Sequence, residues 1–195
     1  MRFSKEALKK YPTEKKLKNN FATFLFKCGY QDKALNIYKE FDNENSHFKD
    51  SYINYSNLLI LINRLSHALE LINKFILVEK NNLEALRQRA LIHKLMFNYN
   101  KSEEDLLKSI QIDKQNIISN QMIVKLYIDI KKYEEAIKYC DLMLSKEKDV
   151  NFFLTKKILC KINLGSWTGL EEDLKIFNKN LKYTQSSINP LSLKY

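Results

Sequence analysis

Apolar residues return at the three-and-four spacing of a helix along most of this chain, in short blocks parted by polar breaks. The stretch Asn63–Asn82 shows the pattern best: Leu65, Leu69, Ile72, Phe75 and Ile76 share one helical face around Ala68. A small residue inside such a face lets a neighbouring helix approach closely. Steps of 34 residues from Ala68 lead to Ala34, Ser102 and Ala136, and then to the larger Leu170. Four residues further on in each step stand Tyr38, Ile72, Leu106, Cys140 and Leu174, and three beyond those Phe41, Phe75, Ser109, Met143 and Phe177. A fixed period of this length is the mark of a helical-repeat solenoid, in which no unit buries its apolar face alone and neighbours must stack.

With the small residue at position 20, five uninterrupted units follow: 15–48, 49–82, 83–116, 117–150 and 151–184. Position 8, in the first half of the unit, is Ala22, Ser56, Ala90, Val124 and Ile158. It is small in three of the five units, as a helix–helix contact needs. Each unit is expected to form two antiparallel helices, at positions 2–14 and 17–29. The turns fall near Gly29, Asn63, Asn98, Lys131 and Gly165, where Gly and Asn suit a helix end that needs positive φ. Residues 185–195 break the frame, and Pro190 with the preceding serines is expected to end the helical pattern.

The segments KKYEEAIKYCDLML and NRLSHALELINKFI, with the unbroken register around them, resemble the tetratricopeptide repeat, a helix–turn–helix of 34 residues. The resemblance covers nearly the whole chain and implies an all-α fold, an α-solenoid of stacked hairpins forming a right-handed superhelix. Residues 1–14 then read as a half repeat or amino-terminal capping helix, since Ala7 and Pro12 fall where the family pattern has Ala and Pro. In this repeat class the first helices line a concave groove. Position 6 of the groove reads Asn20, Asn54, Gln88, Met122 and Lys156, and position 9 includes Thr23, Asn57 and Lys125. Three consecutive amides would form a ladder, and because an amide both donates and accepts, it can pair with a peptide backbone of any sequence. Asn20, Thr23, Asn54, Asn57, Gln88, Lys125 and Lys156 are therefore the expected contacts to a protein or peptide partner. Position 5 lacks the Lys–Asn start of the carboxylate clamp that some such repeats use, so a chaperone-tail receptor is not expected.

A second, shorter resemblance lies at the carboxy-terminal end. NLGSWTGLEEDLKIFNKN followed by SINPLSLKY is similar to the junction between repeats and catalytic domain in bacterial relatives of the O-linked N-acetylglucosamine transferases, the SPINDLY-like family. Trp167 and Pro190-Leu191-Ser192-Leu193 carry it, while Gly165-Ser166 replaces the usual Cys-Asp. It implies an alternative role: a non-catalytic, substrate-recruiting arm of a glycosyltransferase, or a truncated remnant of one, with a glycosyltransferase catalytic domain as a partner.

Composition changes this picture little. Three Gly and two Pro argue against a β-rich fold, and the net charge of +10 comes from lysines spread along the chain. Arginine, the better reader of bases, is scarce, so nucleic acid is not the expected partner. Cys28, Cys140 and Cys160 form no CxxC pair and read as small apolar residues of a reducing compartment. There is no signal-peptide core and no apolar run long enough for a bilayer, which points to the cytoplasm rather than a membrane. His47, His67 and His93 occupy different positions of different units. No metalloprotease, phosphate-loop or nucleophile-elbow motif is present. No catalytic residue, metal or cofactor is expected.

Overall fold

The computed structural model describes residues 14–43 and 49–187, with side chains described for 14–41 and 51–180. The half repeat with Ala7 and Pro12, His47, and the Pro190–Leu193 segment lie outside the described residues. Ten α-helices and no strands occur among the described residues: α1 Lys15–Lys27, α2 Gln31–Asn43, α3 Lys49–Leu61, α4 Leu65–Val78, α5 Leu83–Leu95, α6 Tyr99–Ile112, α7 Ile117–Asp129, α8 Tyr133–Leu144, α9 Val150–Leu164 and α10 Leu170–Ser187. The chain divides into two compact units at Asp105/Leu106, inside α6.

The hairpin turns repeat one backbone device. Gly29, Asn63, Phe97, Lys131 and Gly165 all take positive φ, between 58° and 81°. The next residue in each turn then donates its amide back to the first helix: Tyr30 to the Leu25 carbonyl, Arg64 to Leu59, Asn98 to His93, Lys132 to Tyr127 and Ser166 to Lys161. This six-to-one bond is the Schellman closure, and it satisfies carbonyls that the helix end would otherwise leave open. In the third turn the left-handed residue is Phe97 rather than its neighbour Asn98. The hydrogen-bond register, set by the length of the first helix, outweighs the local preference of Asn for that conformation. Between repeats, Asn82 and Asn116 cap α5 and α7 by accepting from the Ala85 and Ser119 amides at 2.9 and 3.1 Å.

Burial follows the repeat columns. Ala34, Ala68, Ser102, Ala136 and Leu170 are all buried, as are Ala22, Ser56, Ala90, Val124 and Ile158 on the first helices. The serines in these columns are not left unpaired: Ser102 Oγ donates to the Ala90 carbonyl at 2.8 Å and Ser56 Oγ accepts from Gln88 Nε2 at 3.5 Å, while outside the columns Ser109 and Ser119 share a 2.6 Å bond. In the first compact unit Tyr38, Tyr55, Leu58, Leu59, Ile72, Phe75, Leu86 and Ile92 form one continuous core. In the second, Leu154, Ile158 and Leu170 pack with Leu144 and Phe177.

The last hairpin departs from the others. Glu147 and Asp149 take positive φ before α9, and Gly169 does so before α10. The second helix therefore begins at Leu170, and the exposed Trp167 sits in the turn. Lys161 Nζ closes that turn by donating to the Thr168 carbonyl at 3.0 Å and to Asp173 at 2.5 Å. At the far end α10 runs on to Ser187, past the 34-residue frame, because Gln185 and the two serines contain no helix breaker. Leu174, whose counterparts in the other units are buried, is 39% exposed.

Candidate functional site

The first helices α1, α3 and α5 carry the amide positions, and in the first compact unit those amides bond to one another across repeats. Asn54 Nδ2 donates to Asn19 Oδ1 at 3.2 Å. Gln88 Nε2 donates to Asn57 Oδ1 at 2.6 Å and reaches Ser56 Oγ at 3.5 Å. Thr23 Oγ1 donates to the Asn19 carbonyl at 3.0 Å and lies 2.9 Å from the Tyr38 hydroxyl. Burial raises the Tyr38 pKa, and the Thr23 bond works against that shift. Asn20 and Asn57 are exposed, Asn54 and Thr23 are half-buried, and Gln88 is buried. The three amides of position 6 thus stand at three different depths. Asn19 and Asn57, one repeat upstream of Asn54 and Gln88, hold the buried end of the row in place.

In the second compact unit the first helices α7 and α9 touch directly. Here the predicted residues Lys125 and Lys156 converge on Phe152, with their Nζ atoms 5.3 and 5.8 Å from the ring centroid. Phe152 is half-buried and packs edge-to-face, at 5.0 Å between centroids, on the fully buried Phe153. Gln121 on α7 hydrogen-bonds the Asp149 carboxylate at the start of α9. Periodicity placed both lysines on the first helices. It could not reveal that they share one ring, because Phe152 lies at a position with no distinctive pattern.

Two polar clusters lie off the first-helix row and were not anticipated. In the first unit Arg89 holds Asp105 through two bonds of 2.8 and 2.6 Å and donates to Asn73 Oδ1 at 3.0 Å. Asp105, whose hydrogen bond to Arg89 is the main cause, holds the guanidinium pKa above its usual value. His93 lies beside this pair in a cavity of about 320 Å³, 7% exposed, with no hydrogen bond to Nδ1. Burial pushes its pKa down, Arg89 and Lys101 add to that, and Asp105 and Glu104 oppose it. In the second unit a hollow of about 830 Å³ is bordered by Asp141, Glu147, Asp149 and Asp173, with Lys157 bonded to Asp141 at 2.8 Å and to Asp173 at 3.2 Å. Burial works to lower the Lys157 pKa, but the two carboxylates outweigh it and hold the value above normal.

Among the described residues no group of three or more His, Cys, Asp or Glu side chains could hold a metal ion. His67 packs on the Tyr55 ring, away from the Arg89 cluster that His93 adjoins. Cys28 is exposed, whereas Cys140 and Cys160 are buried. Burial pushes the two buried thiols up to about 12 and about 11, which keeps them protonated and unreactive. No described helix is long and apolar enough to cross a membrane.

Helical hairpins at a 34-residue spacing, with a polar row along their first helices, define a helical-repeat array of the α-solenoid class. Residues 83–116 and 118–145 match the tetratricopeptide repeat, so the chain carries repeats of that kind. No curated protein matches the chain in sequence. Among solved structures, a tetratricopeptide repeat protein from Parabacteroides merdae is 18% identical, over 90% of this chain and 70% of its own, with a TM-score of 0.71. MamA from Desulfovibrio magneticus is 13% identical, over 89% and 97%, with a TM-score of 0.71. A thermophilic tetratricopeptide-repeat protein of Thermus thermophilus is 19% identical, over 78% and 84%, with a TM-score of 0.67. At these identities the likeness is one of fold.

Proposed function

We propose that this chain is a non-catalytic scaffold that holds a peptide segment of a partner protein against its first helices. The observation that carries the reading is the amide row. Asn19–Asn54 and Asn57–Gln88 join three successive first helices, while Asn20 and Asn57 remain exposed. A primary amide has two donor hydrogens and two acceptor lone pairs, so a side chain engaged once still has capacity for a peptide backbone. The pre-formed row lowers the entropic cost of ordering those side chains on binding. Thr23 and Asn54 would flank the same segment, with Lys125 and Lys156 further along the repeats. The free thiols of Cys28, Cys140 and Cys160 support a reducing, cytoplasmic setting.

The test is capture of proteins from cytoplasmic extract by the wild type and by an Asn20→Ala/Asn57→Ala variant, with mass spectrometry of what is retained. These two residues are exposed, so the variant should keep the wild-type melting temperature while losing its specific partners. Identical retention by both proteins would remove the amide row from the binding surface. The alternative, an arm of a glycosyltransferase related to the O-linked N-acetylglucosamine transferases, draws support from Trp167, which is 73% exposed and available to a contacting domain. It expects a glycosyltransferase among the captured proteins, and Trp167→Ala to release it selectively.

A further inference from the structure

We infer that the Lys125–Phe152–Lys156 cluster is an acidic-peptide subsite, taking a segment of the partner with closely spaced Asp or Glu side chains. The inference rests on the groove reading above and names the chemistry of its partner. Both ammonium groups lie over one aromatic ring, at 5.3 and 5.8 Å from its centroid. The attraction of each cation to the ring is modest at an exposed site. Bringing two like charges to the same ring works against it. An anion between them would relieve that repulsion and gain charge-assisted hydrogen bonds from both.

No described carboxylate fills that role. The lysines nearby that have acidic partners are Lys157, with Asp141 and Asp173, and Lys161, with Asp173. The nearest turn carries Asp149, which Gln121 engages instead. Lys125 is exposed and Lys156 half-buried, and neither forms an ion pair among the described residues. The ring that gathers them is itself fixed, because Phe152 rests edge-on against the buried Phe153. The two ammonium groups thus both stand within 6 Å of one ring centroid, and part of the ordering cost of binding is already met. A peptide carboxylate suits the cluster better than nucleic acid does. The ammonium groups lie over the ring that a base would need for stacking, and exposed aromatic platforms are what sequence-tolerant strand binding relies on.

Fluorescence anisotropy of the full chain decides the matter with three labelled probes: a ten-residue peptide of alternating Glu and Ala, its Gln-for-Glu counterpart, and a single-stranded oligothymidine. The wild type is expected to bind the Glu peptide about tenfold more tightly than the Gln peptide. Lys125→Gln/Lys156→Gln should abolish that preference without moving the melting temperature. Lys108→Gln/Lys138→Gln, which removes the same charge from second helices, should retain it. Phe152→Leu, which keeps the bulk and removes the ring, should weaken the preference. Equal loss in both lysine pairs would overturn the subsite in favour of diffuse charge, and tighter binding of the oligothymidine would overturn it in favour of nucleic acid. Equal, tight binding of both peptides by wild type and by the Lys125/Lys156 variant would overturn the subsite while leaving the peptide-groove reading intact. Failure of the Glu peptide to bind at all would also overturn the subsite, and the groove would then be judged on the Asn20/Asn57 comparison alone.

Discussion

Phe97 and His93 hold a backbone conformation and a charge state at odds with their intrinsic preferences. Phe97 adopts φ +59 in a hairpin turn where the equivalent residues of the first and last hairpins are Gly29 and Gly165. A left-handed backbone costs a non-glycine residue about 1–2 kcal/mol, and Phe97, 77% exposed, recovers little of this by burial. Phe97→Gly should therefore raise stability by about 1 kcal/mol, read as a higher urea midpoint at an unchanged slope. A lower midpoint would mean that the edge-on contact of Phe97 with Tyr99 outweighs the strain. His93 is the second case. Its folded pKa lies below the ordinary value of 6.5, chiefly through burial, so folding favours the neutral ring. The associated stability is fully present above pH 6.5 and declines below it, as the unfolded chain takes up the proton first, until the pH has passed the folded value. Urea unfolding at pH 7.5 and pH 5 should show a larger loss in the wild type than in His93→Gln. Carboxylates contribute to both proteins alike, so an equal loss would dismiss His93 as the source.

Among the helices, hairpin packing depends on the small residues at the crossing points. Ala68 is fully buried on α4 within the core that includes Leu71, Ile72 and Phe75. Ala68→Leu inserts three carbons where no space is left and should cost about 1–3 kcal/mol. An unchanged melting temperature would contradict this close packing. The equivalent place on α10 is Leu170, which is only 6% exposed although it is much larger. In that hairpin the second helix starts at Leu170, after the Gly169 turn, three residues later in the repeat than the other second helices. A frame counted in residues therefore describes four hairpins better than the fifth.

For the molecule as a whole, burial in repeated columns spreads stability along the chain instead of concentrating it in one centre. The polar groups are distributed in the same way. Asn54 bonds a residue 35 positions away and Gln88 one 31 positions away, each close to one repeat length. Bonds between neighbouring repeats therefore set the depth and orientation of the first-helix side chains. Within the first compact unit Asn20 and Asn57 stand exposed, and within the second Lys125 and Lys156 stand over the Phe152 ring.

Much of this was legible in the sequence because the signals are short-range and repeated. Helical periodicity, the 34-residue spacing and the small residues at positions 8 and 20 predict helices and buried columns, since one face of a helix is set by residues three and four apart. The turn sites were legible to within a residue. Gly29, Asn63 and Gly165 announce a positive φ by type, while Phe97 and Lys131 adopt it because the helix register demands it. The sequence also placed Asn54, Gln88, Lys125 and Lys156 on first helices. Only the tertiary structure decided that Gln88 is buried against Asn57, that Lys125 and Lys156 meet at Phe152, and that Arg89 and Asp105 pair beside His93. Each of these contacts joins side chains from different helices, and long flexible side chains can reach several partners from one backbone position. Periodicity specifies the face on which a side chain stands; the packing of one helix on the next determines what it touches.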